Sequence, residues 1–308
     1  MKKIIFVMLS GLLLASCASP SLSSSLSSAA SQDKTIAGED MDPNGGADLY
    51  ARGGDHSDSP YYGHPDFFNA TSNDHLTIIS QFKTFQQTTE FTCGPASILM
   101  ALYNLGVTSY TERSLAIGMK TSCDKQTNGI PGTADEPGEY GTNIPNMVEF
   151  LSSQPGLKIE ETSYKKTYSE SDLIQTGANQ GDLKGTFASW APYASGVDQN
   201  GEPIYVEDAK DSLWVKWILN YLSKKLAITI LWGDWDGHYQ NIIGYDTMGT
   251  KGLGDDVLIL ADSYDTSDHW QDGYYCVSAE RFFSMWMDRN VVSKPYQVQQ
   301  FVVLNKAN

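Results

Sequence analysis

The sequence predicts an α+β fold, with helices in the first half of the folded body and a mostly antiparallel sheet in the second. Three observations point there. Apolar residues recur at helical spacing after Cys93, between Thr111 and Met119, and between Ile144 and Leu151. From Leu226 onward the chain turns to short apolar runs rich in β-branched residues, bounded by glycine-containing loops. The two kinds of segment are largely segregated rather than alternating, and there is no internal repeat, which favours α+β over a parallel α/β fold.

Taken in order, Leu76–Phe82 reads as a first strand. Polar and β-branched residues from Gln86 to Thr92 suit an extended or turning backbone. Ala96, Leu99, Met100 and Tyr103 then share one helical face, with Pro95 in the first turn and Gly106 as a stop. A short helix fits Thr111–Met119, a Gly- and Pro-rich loop fits 121–143, and Ile144–Leu151 is again helical. Leu157–Thr162 is a strand. Residues 177–205 are weakly patterned and read as an insertion or surface loops. Trp214, Trp217, Ile218, Tyr221 and Leu222 mark one face of the next helix. Strands follow at Leu226–Trp232, Tyr239–Tyr245 and Val257–Ala261. Ser278 caps a helix running through Met287, with Glu280 in its first turn, and Tyr296–Leu304 gives a last strand.

The 308 residues divide into three parts. Residues 1–16 carry Lys2 and Lys3 ahead of an apolar run from Ile4 to Ala15, the pattern of a secretory signal peptide and too short for a membrane span. Leu14-Ala15-Ser16-Cys17 resembles the bacterial lipobox, which implies cleavage before Cys17, diacylglycerol on its sulfur, and a lipid-anchored place in the bacterial cell envelope. Ala18 after Cys17 permits outer-membrane sorting. Residues 17–60 form a tether, with eight serines between positions 18 and 31 and a Gly- and Asp-rich continuation. Asp40–Ala51 loosely matches a calcium loop, but its twelfth position is Ala rather than Glu and Pro43 suits no flanking helix, so a solvated acidic linker is the better reading. Residues 61–308 are the folded domain.

The formal charge of −16 makes nucleic acid a poor partner and disfavours adsorption to anionic lipid without a covalent anchor. His56, His64 and His75 match no metal spacing, and no cofactor is expected. A monomer acting on a peptide or protein is. Of the four cysteines, Cys17 is the lipid site and Cys93 the candidate nucleophile; Cys123 and Cys276 are left as candidates for a disulfide in an exported protein.

Cys93 falls at the start of a helix, where free N–H groups and the dipole favour an anion and should lower the thiol pKa. Alone, it is equally readable as a small buried hydrophobe. Gln87, six residues earlier, offers a side-chain N–H for an oxyanion, with Gln86 as its rival. His238 follows Gly237 at the start of a strand. If Tyr239–Tyr245 and Val257–Ala261 form a hairpin centred near residue 250, residues summing to about 500 face each other, which sets Asp262 beside His238. Asp246 lies eight residues along the same strand, roughly 27 Å away at ~3.4 Å per residue, and is the poorer partner. Nucleophile, oxyanion donor, base and orienter are then all present. Asp234 and Asp236 flank the histidine turn as a solvated loop or a preference for basic substrates, and Trp232 and Trp235 read as cleft walls or core.

Gln87…Cys93-Gly94-Pro95-Ala96, Gly237-His238-Tyr239…Gly244-Tyr245-Asp246 and Leu260-Ala261-Asp262 together resemble the papain-like cysteine peptidases of the bacteriocin-leader-processing type, family thirty-nine of the cysteine peptidases with its peptidase-like branch. Phytochelatin synthase resembles it more distantly. The likeness spans residues 76–305 and implies a papain-like fold, Cys93 as nucleophile, His238 as base, Asp262 as its orienter and Gln87 in the oxyanion hole. Leader peptidases of this type usually carry a fused transporter, which this sequence lacks, so a bacteriocin leader is not implied as substrate. Peptidyl transfer and peptide binding without catalysis are the alternatives to hydrolysis.

Overall fold

A computed structural model describes residues 65–123, 140–164, 191–234, 237–266, 271–286 and 299–307. The signal peptide, the tether and Cys17 lie outside the described residues, as do the calcium-loop candidate, His56, His64, Trp235 and Asp236. Among the described residues no helix is long and apolar enough to cross a membrane.

The elements run β1 (Leu76–Ile78), α1 (Cys93–Asn104), α2 (Glu112–Gly118), β2 (Ser122–Cys123), β3 (Tyr140–Gly141), α3 (Ile144–Ser153), β4 (Leu157–Thr162), β5 (Ala194–Val197), β6 (Pro203–Tyr205), α4 (Leu213–Ser223), β7 (Ile228–Trp232), β8 (His238–Asp246), β9 (Val257–Asp262), β10 (Tyr274–Ser278), α5 (Ala279–Met285) and β11 (Gln300–Lys306). Seven strands make one sheet in the order β10-β9-β8-β7-β11-β4, with β1 also paired to β8. Every pairing in it is antiparallel. The class is therefore α+β, as the segregation of helical and strand segments predicts.

Alternation along β7 and β11 shows how the sheet is covered. Ile228, Ile230, Trp232, Phe301 and Val303 pack into one core with Trp214, Ile218, Phe282 and Trp286 of α4, α5 and the residue after α5. Leu231, Tyr239, Val302 and Leu304 pack into a second core with residues of α1, α2 and α3. Helices thus cover both faces, which explains why β7 is buried at every position instead of alternating with solvent.

Local sequence explains most element ends. Thr111 caps α2 through a reciprocal box with Ser114, and Asn143 caps α3 ahead of Pro145 in its first turn. Ser278 caps α5, although the N–H of Arg281 reaches its hydroxyl only at 3.5 Å. One helix departs from expectation. The spacing after Cys93 predicts a single apolar face, yet every residue from Cys93 to Leu102 is buried. A helix that touches both cores has no solvent side to keep polar, and Met100 joins the core that Leu99 does not.

Two other expectations change. The tail of the segment 177–205 is a hairpin, β5 with β6, rather than plain loop; residues before 191 lie outside the described residues. Tyr274–Ser278 is a strand that the sequence reading passed over. Cys276, on that strand, is exposed; the side chain of Cys123, its candidate disulfide partner, lies outside what the structure describes.

Candidate active site

The stretch before α1 and the hairpin of β8 and β9 build the site. Cys93 is the first residue of α1, and Thr92, the N-cap, makes no side-chain cap. Pro95 has no N–H, and the N–H of Ala96 is taken by the Thr92 carbonyl at 3.0 Å. The N–H groups of Cys93 and Gly94 are left without a partner inside the helix. Gly94 is required for space: a Cβ there would lie 3.0 Å from the side chain of Thr142 and 3.3 Å from Met147.

Two side-chain bonds fix α1 to β8. The Ser97 hydroxyl donates to the Tyr239 carbonyl, and the Asn241 amide donates to the Ser97 carbonyl, each at 2.9 Å. His238 is the residue before Tyr239 and opens β8, entered through Gly237 at φ +123°. This backbone conformation is open to glycine and strained for other residues.

The hairpin register differs from the symmetric expectation. Asp262 stands opposite Gln240, not His238, and the ladder shifts between Ile242 and Gly244. A displacement of two residues keeps a side chain on the same face of a strand. Asp262 Oδ1 therefore still reaches His238 Nε2, at 2.6 Å. The same oxygen accepts the Tyr264 N–H at 2.8 Å, and the Tyr264 ring stands edge-on to the imidazole with centroids 6.3 Å apart.

His238 also interacts with Cys93, so the imidazole feels both the carboxylate and the sulfur. With Nε2 committed to Asp262, Nδ1 is the nitrogen left for the thiol. Burial by itself disfavours the imidazolium. The charge and hydrogen bond of Asp262, then Cys93, outweigh it and hold the His238 pKa well above its ordinary value. Asp262, Gln87 and His238 are 1%, 1% and 4% exposed, whereas Cys93 is 8% exposed, so the sulfur is the member of the group nearest to solvent.

Gln87 is anchored from the same turn that carries Asp262. Its Oε1 accepts the Ser263 hydroxyl at 2.7 Å, its backbone N–H donates to the Ser263 carbonyl at 2.9 Å, and Nε2 donates to the Thr89 carbonyl at 2.7 Å. One amide hydrogen remains. Gln86 points elsewhere, donating to the Gln271 carbonyl at 3.2 Å. Asp246 is bound to His75 Nδ1 at 2.7 Å at the far end of β8, as strand length requires. Trp232 is core, 1% exposed, with its indole N–H on Gln240.

Two residues escaped the sequence reading. Ser263 follows Asp262 and gives no signal of its own beyond that adjacency. Glu112 follows the Thr111 cap and reads as an ordinary acid in a first helical turn; it is in fact buried beneath the loop 88–92. No group of three or more His, Cys, Asp or Glu side chains able to hold a metal occurs among the described residues.

No curated protein matches the chain. The family model for the Peptidase_C39-like family matches residues 79–291, which takes in Gln87, Cys93, His238 and Asp262. The chain belongs to the Peptidase_C39-like family, and its architecture is that of a papain-like peptidase domain.

Proposed function

We propose that this protein is a thiol peptidase tethered to the cell envelope through a lipid on Cys17, cleaving peptide or amide bonds with Cys93, His238 and Asp262. The observation that carries the reading is the position of His238, bound to Asp262 through Nε2 and near enough to Cys93, at the start of a helix, for the sulfur to raise its pKa. In the mechanism, the Cys93 thiolate attacks the substrate carbonyl carbon beside the His238 imidazolium. Negative charge moves to the carbonyl oxygen, which takes hydrogen bonds from the remaining Gln87 amide hydrogen and the Cys93 N–H. His238 gives its proton to the departing amine, breaking the C–N bond and leaving an acyl-thioester. Neutral His238 then takes a proton from water, whose oxygen attacks the thioester and releases the acid.

Asp262 holds the ring in orientation and stabilises its charged form. The partner is a peptide or protein, and no metal or cofactor enters the chemistry.

Two experiments test the reading. A peptide library is digested with the wild-type protein and with Cys93→Ala, and new termini should appear with the wild type alone. An amine-extended product instead of free acid would assign transfer. Identical, uncut libraries would reject the peptidase reading. In parallel, iodoacetamide is applied at mildly acidic pH. Buried Cys93 should be alkylated faster than exposed Cys276, because the thiolate reacts and accessibility alone would give the opposite order.

A further inference from the structure

Glu112 opens α2 and is 2% exposed. Burying a carboxylate is costly unless its oxygens are hydrogen-bonded. Here both are. Oε1 accepts the Thr88 N–H at 3.0 Å and the Thr92 hydroxyl at 2.5 Å, while Oε2 accepts the Thr88 hydroxyl at 3.0 Å. Thr88 and Thr92 are the residues just after Gln87 and just before Cys93, so one carboxylate grips both ends of the loop between them.

The grip continues inward. The hydroxyls of Thr89 and Thr92 meet at 2.8 Å, and the Thr89 carbonyl takes the Gln87 amide at 2.7 Å. An unbroken path of hydrogen bonds therefore runs from Glu112 through Thr92 and Thr89 to the side chain of Gln87. Glu112 has a second effect. A threonine at an N-cap ordinarily accepts a bond from the N–H two or three residues on. The Thr92 hydroxyl is turned to Glu112 instead and makes no cap.

We propose that Glu112 is a positioning residue of the oxyanion site. It fixes the separation between the Gln87 amide and the Cys93 N–H, and it draws away the hydroxyl that would otherwise cap the first turn of α1. The inference rests on the thiol-peptidase reading. Glu112 touches neither substrate nor the reacting atoms and acts through Thr88 and Thr92. A carboxylate suits this role because it only accepts, and three donors converge on it; the amide of glutamine would present N–H groups to at least one of them.

The test uses the mature, full chain with Glu112→Gln, Thr92→Val and Thr92→Ser, on a peptide that the wild type cleaves. Thr92→Val removes one hydroxyl at nearly constant volume and guards against misfolding of the glutamate variant. Glu112→Gln and Thr92→Val should each lower kcat on the order of tenfold to a hundredfold, the scale of a misplaced oxyanion donor, with KM close to wild type. Thr92→Ser should return kcat toward the wild-type value. Iodoacetamide alkylation of Cys93 should be unchanged, since alkylation forms no oxyanion. Amide hydrogen exchange should rise in the peptide covering residues 86–92 and not in β8.

Unchanged kcat, unchanged exchange in that loop, or alkylation falling in parallel with kcat would each overturn the positioning role. An inert wild type in the library digest would instead remove the peptidase reading, and the exchange result would still report whether Glu112 holds the loop.

Discussion

The imidazole of His238 is bound to Asp262 inside a buried site beside Cys93, and its proton is consequently held more tightly in the folded chain than in the unfolded one. The linkage has a definite sign. A raised histidine pKa contributes stability that is fully present below the unfolded value, about 6.5, and is lost as pH climbs through the higher folded value. Asp262→Asn should therefore lose more stability relative to wild type at pH 6 than at pH 10, measured by urea unfolding. A deficit that grows with pH would contradict the arrangement. The same variant should lose activity on the order of a hundredfold or more, the cost of a misoriented general base, while peptide binding persists.

At this scale the sequence was most informative. The place of Cys93 at a helix start and the meeting of His238 with Asp262 were legible because the residues stand beside conformational markers: Pro95, Gly237 and the end of an apolar run. Glu112 and Ser263 were not. Their significance comes from burial and from contacts across twenty or more residues of chain, and neither leaves a local pattern.

Among the elements, the β8–β9 hairpin shows what patterning does and does not determine. Symmetry about residue 250 brings the right two side chains together, but the observed register is offset by two and broken by a bulge near Gly244. The bulge lies where the strand is most tightly enclosed. A Cβ on Gly244 would lie 2.9 Å from Ile259 and 3.1 Å from Ile78, so the strand is glycine where β1 and β9 press on it. Strand β10 escaped notice because its burial does not alternate cleanly, with Tyr274 and Val277 inside and Cys276 out.

The turn into that strand yields a sharper expectation. Gly273 has φ +84°, and a Cβ there would lie 2.4 Å from Thr84 Cβ. The Gly273 carbonyl accepts the Asp262 N–H, and Thr84 bonds the Asp272 carbonyl. Gly273→Ala should lower stability by about 2 kcal/mol or more, combining positive-φ strain with overpacking, and should reduce activity through Asp262. A melting temperature within a degree of wild type would show that the turn tolerates the change.

Over the whole molecule, acidity is the dominant electrostatic fact, and one buried carboxylate registers it. Burial raises the pKa of Asp256 to about 6, with Asp255, Asp208 and Asp246 adding to the rise against the opposing bond from the Tyr245 hydroxyl at 2.5 Å. A raised carboxylate makes the fold hold a proton that the unfolded chain has released. Stability should fall as pH rises from about 4 to about 6, with the cost persisting above. Asp256→Asn keeps an acceptor for Tyr245 and should raise the melting temperature more at pH 7.5 than at pH 5. An equal shift at both would show that the charge is not what costs stability. Overall architecture was legible from the segregation of helix and strand periods. The two-faced burial of β7 and α1 was not, because an apolar run does not say how many sides it will cover.

Strands β1 and β4 come before Gly201 in the chain but are laced into a sheet whose other members come after it, on β8 and β11. Gly201 lies between them in an exposed turn. A protease that clips there would leave two fragments interlocked like clasped fingers, the sulfur on one and the imidazole on the other. Such a nicked molecule should migrate as two bands under denaturing electrophoresis yet elute as one species, with turnover intact.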